Sequence, residues 1–161
     1  MNELTTNNVM ALAPSRVESH TFMPGMEVRC AIIDGQPWFM HVDACRALDI
    51  RNSWDAIRRV DAGDRARCDI GLRGQAPWLV NETGLRALVD STRKTRTGEF
   101  KRWITHDVLP LLRAAARADA LRKRQEEEDA VMAESLKLAH AILAQRARMQ
   151  ATRAVPRAAS H

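Results

Sequence analysis

The 161-residue chain is 45% hydrophobic and 28% charged, with 25 basic against 20 acidic residues and a formal net charge of +5. That length suits one compact domain with an appendage, not two full cores. No apolar run approaches the length of a bilayer span, and the opening MNELTTNNVMALAPSRVESH lacks a signal-peptide core, so neither membrane insertion nor export is expected.

In chain order, residues 1–21 are polar and expected to be disordered. Residues 28–33 and 37–40 form apolar strands around Asp34-Gly35, a two-residue hairpin signal. Asp43 is placed to cap a helix running through Leu48. Asn52 or Ser53 caps a second helix, with Trp54 and Ile57 inward. Asp61-Ala62-Gly63-Asp64 breaks that helix, and residues 65–72 and 75–80 make a second strand pair around Gly74. Asn81 then caps a short helix with Leu85, Leu88 and Val89 inward. A further helix begins near Thr97 or Gly98, with Glu99 favoured by its N-terminus and an apolar stripe of Phe100, Trp103, Ile104, Val108 and Leu111. Lys101, Arg102, Thr105 and His106 face away from that stripe. Pro110 should stop or kink the helix near Val108 and start a new one. The order ββααββαα predicts an α+β domain, with helices packed on a small, mainly antiparallel sheet.

Charge is unevenly spread. Between Ser91 and Arg102 lie Arg93, Lys94, Arg96, Lys101 and Arg102 against the single acid Glu99. Charge so concentrated implies a surface for a polyanion. In the middle of the chain Arg58, Arg59, Arg65, Arg67 and Arg73 alternate with Asp55, Asp61, Asp64 and Asp69, which reads as a locally neutralised, ion-paired face. All but four of the 25 basic residues are arginine, whose planar fork suits phosphates and guanine edges. Cys30, Cys45 and Cys68 are odd in number without a C-x-x-C, which reads as reduced, buried thiols of a cytosolic protein.

From Leu111 onward the composition turns to Ala, Arg, Glu and Leu, without glycine. Residues 116–149 are expected to form a helix whose stripe of Met132, Leu136, Ala139 and Leu143, flanked by Val131 and Ile142, wants a partner. Glu126-Glu127-Glu128-Asp129 adds an acidic patch. Residues 150–161 are expected to be a basic, disordered tail making nonspecific phosphate contacts.

Several motifs together resemble the N-terminal domain of the BRO family, found in phage antirepressors and large DNA viruses. They are Val28-Arg29, Asp34-Gly35-Gln36-Pro37-Trp38-Phe39, Asp43-Ala44-Cys45-Arg46-Ala47-Leu48 and Asn81-Glu82-x-Gly84-Leu85. After Ser91 and the basic loop come Phe100-Lys101-Arg102-Trp103-Ile104-Thr105-His106, Val108-Leu109-Pro110 and Arg113. The resemblance covers residues 22–115. Asp49 and Ile50 stand where the family usually has a glycine and an aromatic, and Arg86 where it often has tyrosine.

The resemblance implies a phage- or prophage-type transcriptional regulator that binds double-stranded DNA in the cytoplasm of a bacterial host, associated with the nucleoid. Arg93, Lys94, Arg96, Lys101 and Arg102 would neutralise phosphates, with hydroxyl contacts from Thr95, Thr97 and Thr105. One of Arg93, Arg96 or Arg102 would read a guanine. Arg46, or Arg51, Arg58 and Arg59, is a competing recognition element. Met132, Leu136, Ala139 and Leu143 would join two copies into a dimer. The rival reading is a protein-interaction antirepressor that captures a repressor through its C-terminal helix without touching DNA.

Catalysis is not expected. Trp38, Phe39, Phe100 and Trp103 have the spacing of core residues. His41 and Cys45 are half a metal site without a second pair, and His106-Asp107 has no supporting cluster. Neither a phosphate-binding glycine loop nor a nucleophile elbow occurs, so no cofactor, metal or catalytic residue is assigned. A metal-dependent nuclease is a distant third reading, without a carboxylate cluster to support it.

Overall fold

The computed structural model describes residues 13–154. Three strands open the fold: β1 (Arg16–Met23), β2 (Met26–Ile33) and β3 (Gln36–Met40). Helices α1 (His41–Ala47) and α2 (Ser53–Arg59) follow, then a single 3-10 turn, Ala62–Asp64. Strands β4 (Arg65–Arg67) and β5 (Trp78–Asn81) complete the sheet. Helices α3 (Glu82–Asp90) and α4 (Thr95–Trp103) lead through a π turn, Ile104–Val108, into α5 (Leu109–Arg153). The sheet has the order β1-β2-β3-β5-β4, every pair antiparallel. This is an α+β fold, as the pattern predicts. Contacts divide the chain into two compact units, Met1–Ala120 and Leu121–His161.

Alternation along the strands explains the layering. Val28, Cys30, Phe39 and Val80 point to one face and join Leu48, Ile57, Leu85, Leu88, Phe100, Val108 and Leu112 of the helices in the main core. Ala31, Ile33, Trp38, Met40, Ala66 and Leu79 point to the other face, where Cys68 and Ile70 pack on them. The β2–β3 turn is the expected Asp34-Gly35, at φ 52° and 73°, and sets the register Ile33 opposite Gln36. All three cysteines are buried thiols.

Several local expectations are corrected. Residues 16–21, expected to be disordered, belong to β1, while residues 1–12 lie outside the described ones. The inner face of β1 is charged, so hydrophobic alternation does not reveal it. Arg16 grips Asp119 (Nη2 to Oδ1, 3.0 Å) and pairs with Glu18, which in turn meets His20. The second strand pair is confined to three or four residues, because positive φ at Gly71 and Gly74 turns the connecting loop away. Asp43 does not cap α1. It lies buried in the first turn and accepts from the Arg29 amide, Nε and Nη2 at 3.0, 2.8 and 2.9 Å. Trp54 points outward, since a helix as short as α2 needs only Ile57 and the following Val60 to reach the core. The tail expected from residue 150 is helical through Arg153, and residues 155–161 lie outside the described ones.

The α-helical ladder is interrupted up to Val108 and a new α-helix starts at Leu109, one residue before Pro110, but the interruption is a π turn and not a stop. The Leu109 amide donates to the Ile104 carbonyl, five residues back, and this wider turn leads straight into α5. Phe100, Ile104, Val108, Leu112 and Ala116 are all buried although each step of four overshoots a turn of about 3.6 residues. The π turn takes up that drift, which is why Leu112 rather than Leu111 faces the core.

Gly84 stands where only a glycine fits. Asn81 caps α3 by accepting from the Gly84 amide at 2.9 Å, and the helix sits so close to the sheet that a Cβ on Gly84 would lie 2.7 Å from the Asp64 carbonyl oxygen and 3.1 Å from both Val60 and Val80 side chains. A backbone oxygen cannot move aside cheaply. Gly84→Ala should therefore destabilise the domain by roughly 1–3 kcal/mol despite alanine's better helix propensity, read as a lower urea midpoint at unchanged slope.

Candidate nucleic-acid interface

The basic segment becomes the end of α3, a short connection and α4. Asn81 fixes the start of α3, Leu85, Leu88 and Val89 bury its inner face, and Ser91 closes it by donating its hydroxyl to Leu88 O at 2.7 Å. The chain then runs extended through Lys94, whose ψ of 159° makes it the residue before α4. The helix thus begins at Thr95, earlier than Thr97 or Gly98. Glu99 consequently falls beyond the first turn, where no acid stands. Phe100 anchors α4 in the core, flanked by Phe22 and Trp103 at ring-centroid distances of 5.3 and 5.7 Å.

This places the anticipated cations and two of the three threonines at the surface: Arg93 in the connection, Lys94 at the cap, Thr95 and Arg96 in the first turn, Lys101 and Arg102 in the last, and Thr105 on the π turn, whereas Thr97, expected to offer its hydroxyl, has that oxygen buried against the domain. They do not form one cluster. Lys94 folds back onto the loop after α1, where its ammonium meets both the Asp49 carbonyl and the carboxylate, the latter at 2.8 Å. Lys94, with Arg51 and Arg96 nearby, holds the Asp49 carboxyl below the usual aspartate range. Asp49 itself sits at φ 55°, a left-handed position where glycine is at ease and aspartate among the more tolerated alternatives. Beside this ion pair opens a hollow of about 370 Å³, with Arg51, Arg59 and Lys94 among the residues on its rim. Lys101 and Thr105 line a second hollow of about 390 Å³ with Arg86 and Arg113. There Arg113 is held by both oxygens of Glu82 at 2.9 Å.

Among the described residues, Arg93, Arg96, Lys101 and Arg102 have no ion-pair partner. No side chain caps the N-terminus of α4, so its first-turn amides add to the same field. The arrangement is one that attracts and orients an anion.

The arginine-rich middle differs from its expected form. No ion pair joins Arg58, Arg59, Arg65, Arg67 or Arg73 to Asp55, Asp61, Asp64 or Asp69 among the described residues. Three of these acids serve local polar groups instead: Asp55 accepts from Asn52, Asp64 from Asn81 and Asp69 from the Gly71 amide. Arg65 donates to the Ile57 carbonyl at 2.7 Å, and its guanidinium and that of Arg67 lie over the half-buried Trp78 ring at 5.5 and 5.3 Å. Arg51, Arg58 and Arg59 stay exposed on and before α2, and Trp54 joins them at 60% exposure. The clue to Trp54 was Arg58 one turn later on the same helical face.

Elsewhere, His41 donates from Nε2 to the Ser53 carbonyl at 2.7 Å, and burial lowers its pKa. Burial pushes the Cys45 thiol up to about 11. Both are occupied in packing α1, not in presenting ligands. The anticipated stripe of Met132, Leu136, Ala139 and Leu143 is exposed on α5. No helix among the described residues is long and apolar enough to cross a membrane.

Fold and surface together define a small α+β domain that presents a basic, largely unpaired helix. The family model described as BRO family, N-terminal domain, matches residues 27–110, just over half of the chain. The chain belongs to that family. No curated protein and no solved structure matched the chain.

Proposed function

We propose that this protein is a DNA-binding transcriptional regulator of the phage antirepressor type, acting by binding and not by catalysis. The observation that carries the reading is the set of exposed cations without acidic partners on α4 and its lead-in: Arg93, Arg96, Lys101 and Arg102. Unpaired arginines contribute counterion release when they meet phosphate, whereas paired ones must first break an existing contact. Membership of the BRO family supports the same reading. In this scheme the Asp49–Lys94 pair fixes the start of α4, and the α2 surface with Arg51, Arg58 and Trp54 is the second candidate contact.

Gly98 adds support. It lies on the outer side of α4, where a Cβ would meet nothing within 4 Å. A helix-interior glycine is unfavourable by roughly 0.5–1 kcal/mol relative to alanine, and packing inside the domain does not require one here. Its smallness leaves room for a close-lying backbone outside the protein. Gly98→Ala should raise thermal stability by about that amount and weaken duplex binding. A variant that gains stability with unchanged DNA affinity would place the duplex elsewhere.

The primary test is fluorescence anisotropy of the full chain with genomic and random duplexes across a salt series. Log affinity should fall linearly with log salt, by about 0.9 per phosphate contact. One preferred fragment would mark a sequence-specific regulator. Absence of binding at low salt would favour the protein-interaction form of an antirepressor, with the exposed face of α5 as its contact.

A further inference from the structure

The part of α5 between Leu121 and Arg153 forms its own unit and bears a broad apolar face. Val131, Met132, Leu136, Leu138, Ile142 and Leu143 are each between 50% and 68% exposed. At about 100° per residue they fall within an arc roughly 160° wide, with Glu126, Glu134, Lys137, His140 and Arg148 on the opposite side. Such a stripe on a lone helix needs a cover.

Four charges of this unit fall inside the arc, Arg124, Glu128, Arg146 and Arg153, and the placement of Glu128 and Arg146, on its centre line, identifies the cover. Glu128 and Arg146 are 18 residues apart, five whole turns at about 3.6 residues each, so they lie on one line of the helix. The stripe Met132, Leu136, Ala139, Leu143 has spacings of four, three and four, which read the same from either end. We propose that a second copy of this chain covers the face, the two α5 segments running antiparallel about a two-fold axis beside Lys137 and Leu138.

That pairing sets Met132 against Leu143, Leu136 against Ala139 and Gln125 against Gln150. Glu128 of each copy comes beside Arg146 of the other, and the acidic block from Glu126 to Asp129 faces the segment bearing Arg146 and Arg148. A parallel, in-register pair would stack Glu128 on Glu128 and Arg146 on Arg146 inside an apolar seam, which opposes association. The antiparallel form is isologous and self-limiting at two copies. It also satisfies the two charges at the seam. The pairing stands whether or not α4 binds DNA.

Sedimentation equilibrium of the full chain, with the charge-swapped variants, tests it. Glu128→Arg alone and Arg146→Glu alone should each loosen the dimer by about tenfold or more, while the double swap should restore it. A parallel dimer would tolerate each single change as well as the double swap, and that result would overturn the antiparallel pairing. Disulfide trapping adds a readout independent of affinity, because Cys30, Cys45 and Cys68 are buried. Gln125→Cys and Gln150→Cys chains, oxidised together, should cross-link to each other and neither to itself. Self-linked Gln125→Cys chains, or a wild-type chain that stays monomeric at the highest soluble concentration, would overturn the proposal.

Discussion

Reversal of Arg93, Arg96 and Arg102 to Glu is expected to abolish tight duplex binding while leaving the thermal midpoint almost unchanged. All three side chains are exposed and none makes an ion pair among the described residues, so the fold loses little beyond the long-range attraction of Arg96 for Asp49. If each contacts a phosphate, the slope of log affinity against log salt should fall by about three. Lys94 is deliberately left intact. Changing it would set a carboxylate against Asp49 and disturb the start of α4, confusing loss of structure with loss of contact. The anisotropy salt series decides the matter: an unaltered slope would remove α4 from the interface and turn attention to Arg51, Trp54 and Arg58, before and on α2.

The second large effect is on folding. Phe100 is fully buried between Phe22 and Trp103, its ring edge-on to Phe22 at an interplanar angle of 83°. Truncation to alanine removes this contact and leaves a cavity where β1, α4 and the π turn meet, costing about 3–5 kcal/mol. Against a typical total of about 5–15 kcal/mol, Phe100→Ala should be marginally folded at best. Trp103→Ala should be milder because that ring is only half-buried. Urea denaturation followed by far-ultraviolet circular dichroism separates the two. A Phe100→Ala midpoint equal to that of the wild type would mean that this aromatic group is not the centre of the core.

Much of this was legible where the determining interactions are local. Asp34-Gly35 specifies its turn by the φ values those residues tolerate, and Asn52 and Asn81 cap their helices through amides three residues on. Leu85, Leu88 and Val89 are spaced as the inner face of a short helix, and they are buried. The exposure of Lys101, Arg102 and Thr105 followed from the periodicity of the next helix, and that of Arg93, Lys94 and Arg96 from the charge crowded into the segment before it. What escaped the sequence depends on residues far apart in the chain. β1 is held by Arg16, whose partner Asp119 lies 103 residues away, and Asp43 is drawn inward by Arg29 on another element. The motifs quoted for the family carry much of this scaffold: Arg29 holds Asp43, Gly84 admits the close approach of α3, and Phe100 packs with Trp103. Trp54 was misplaced because helical spacing indicates a side and does not say how wide the buried strip is.

The π turn between Ile104 and Val108 has a consequence for how this stretch tolerates changes of length. A π turn is one residue more than an α-helix needs. Deleting one of the exposed residues Thr105, His106 or Asp107 would bring Ile104, Val108, Leu109, Leu112 and Ala116 into ordinary helical spacing with their burial preserved. The same deletion would press the ring of Pro110 against a carbonyl four residues earlier, a clash the wider turn avoids. Extra residue and proline therefore form one unit: the chain should accept the one-residue deletion more readily when Pro110 is also replaced by alanine, and adding a residue there would swing Leu112 and Ala116 out of the core.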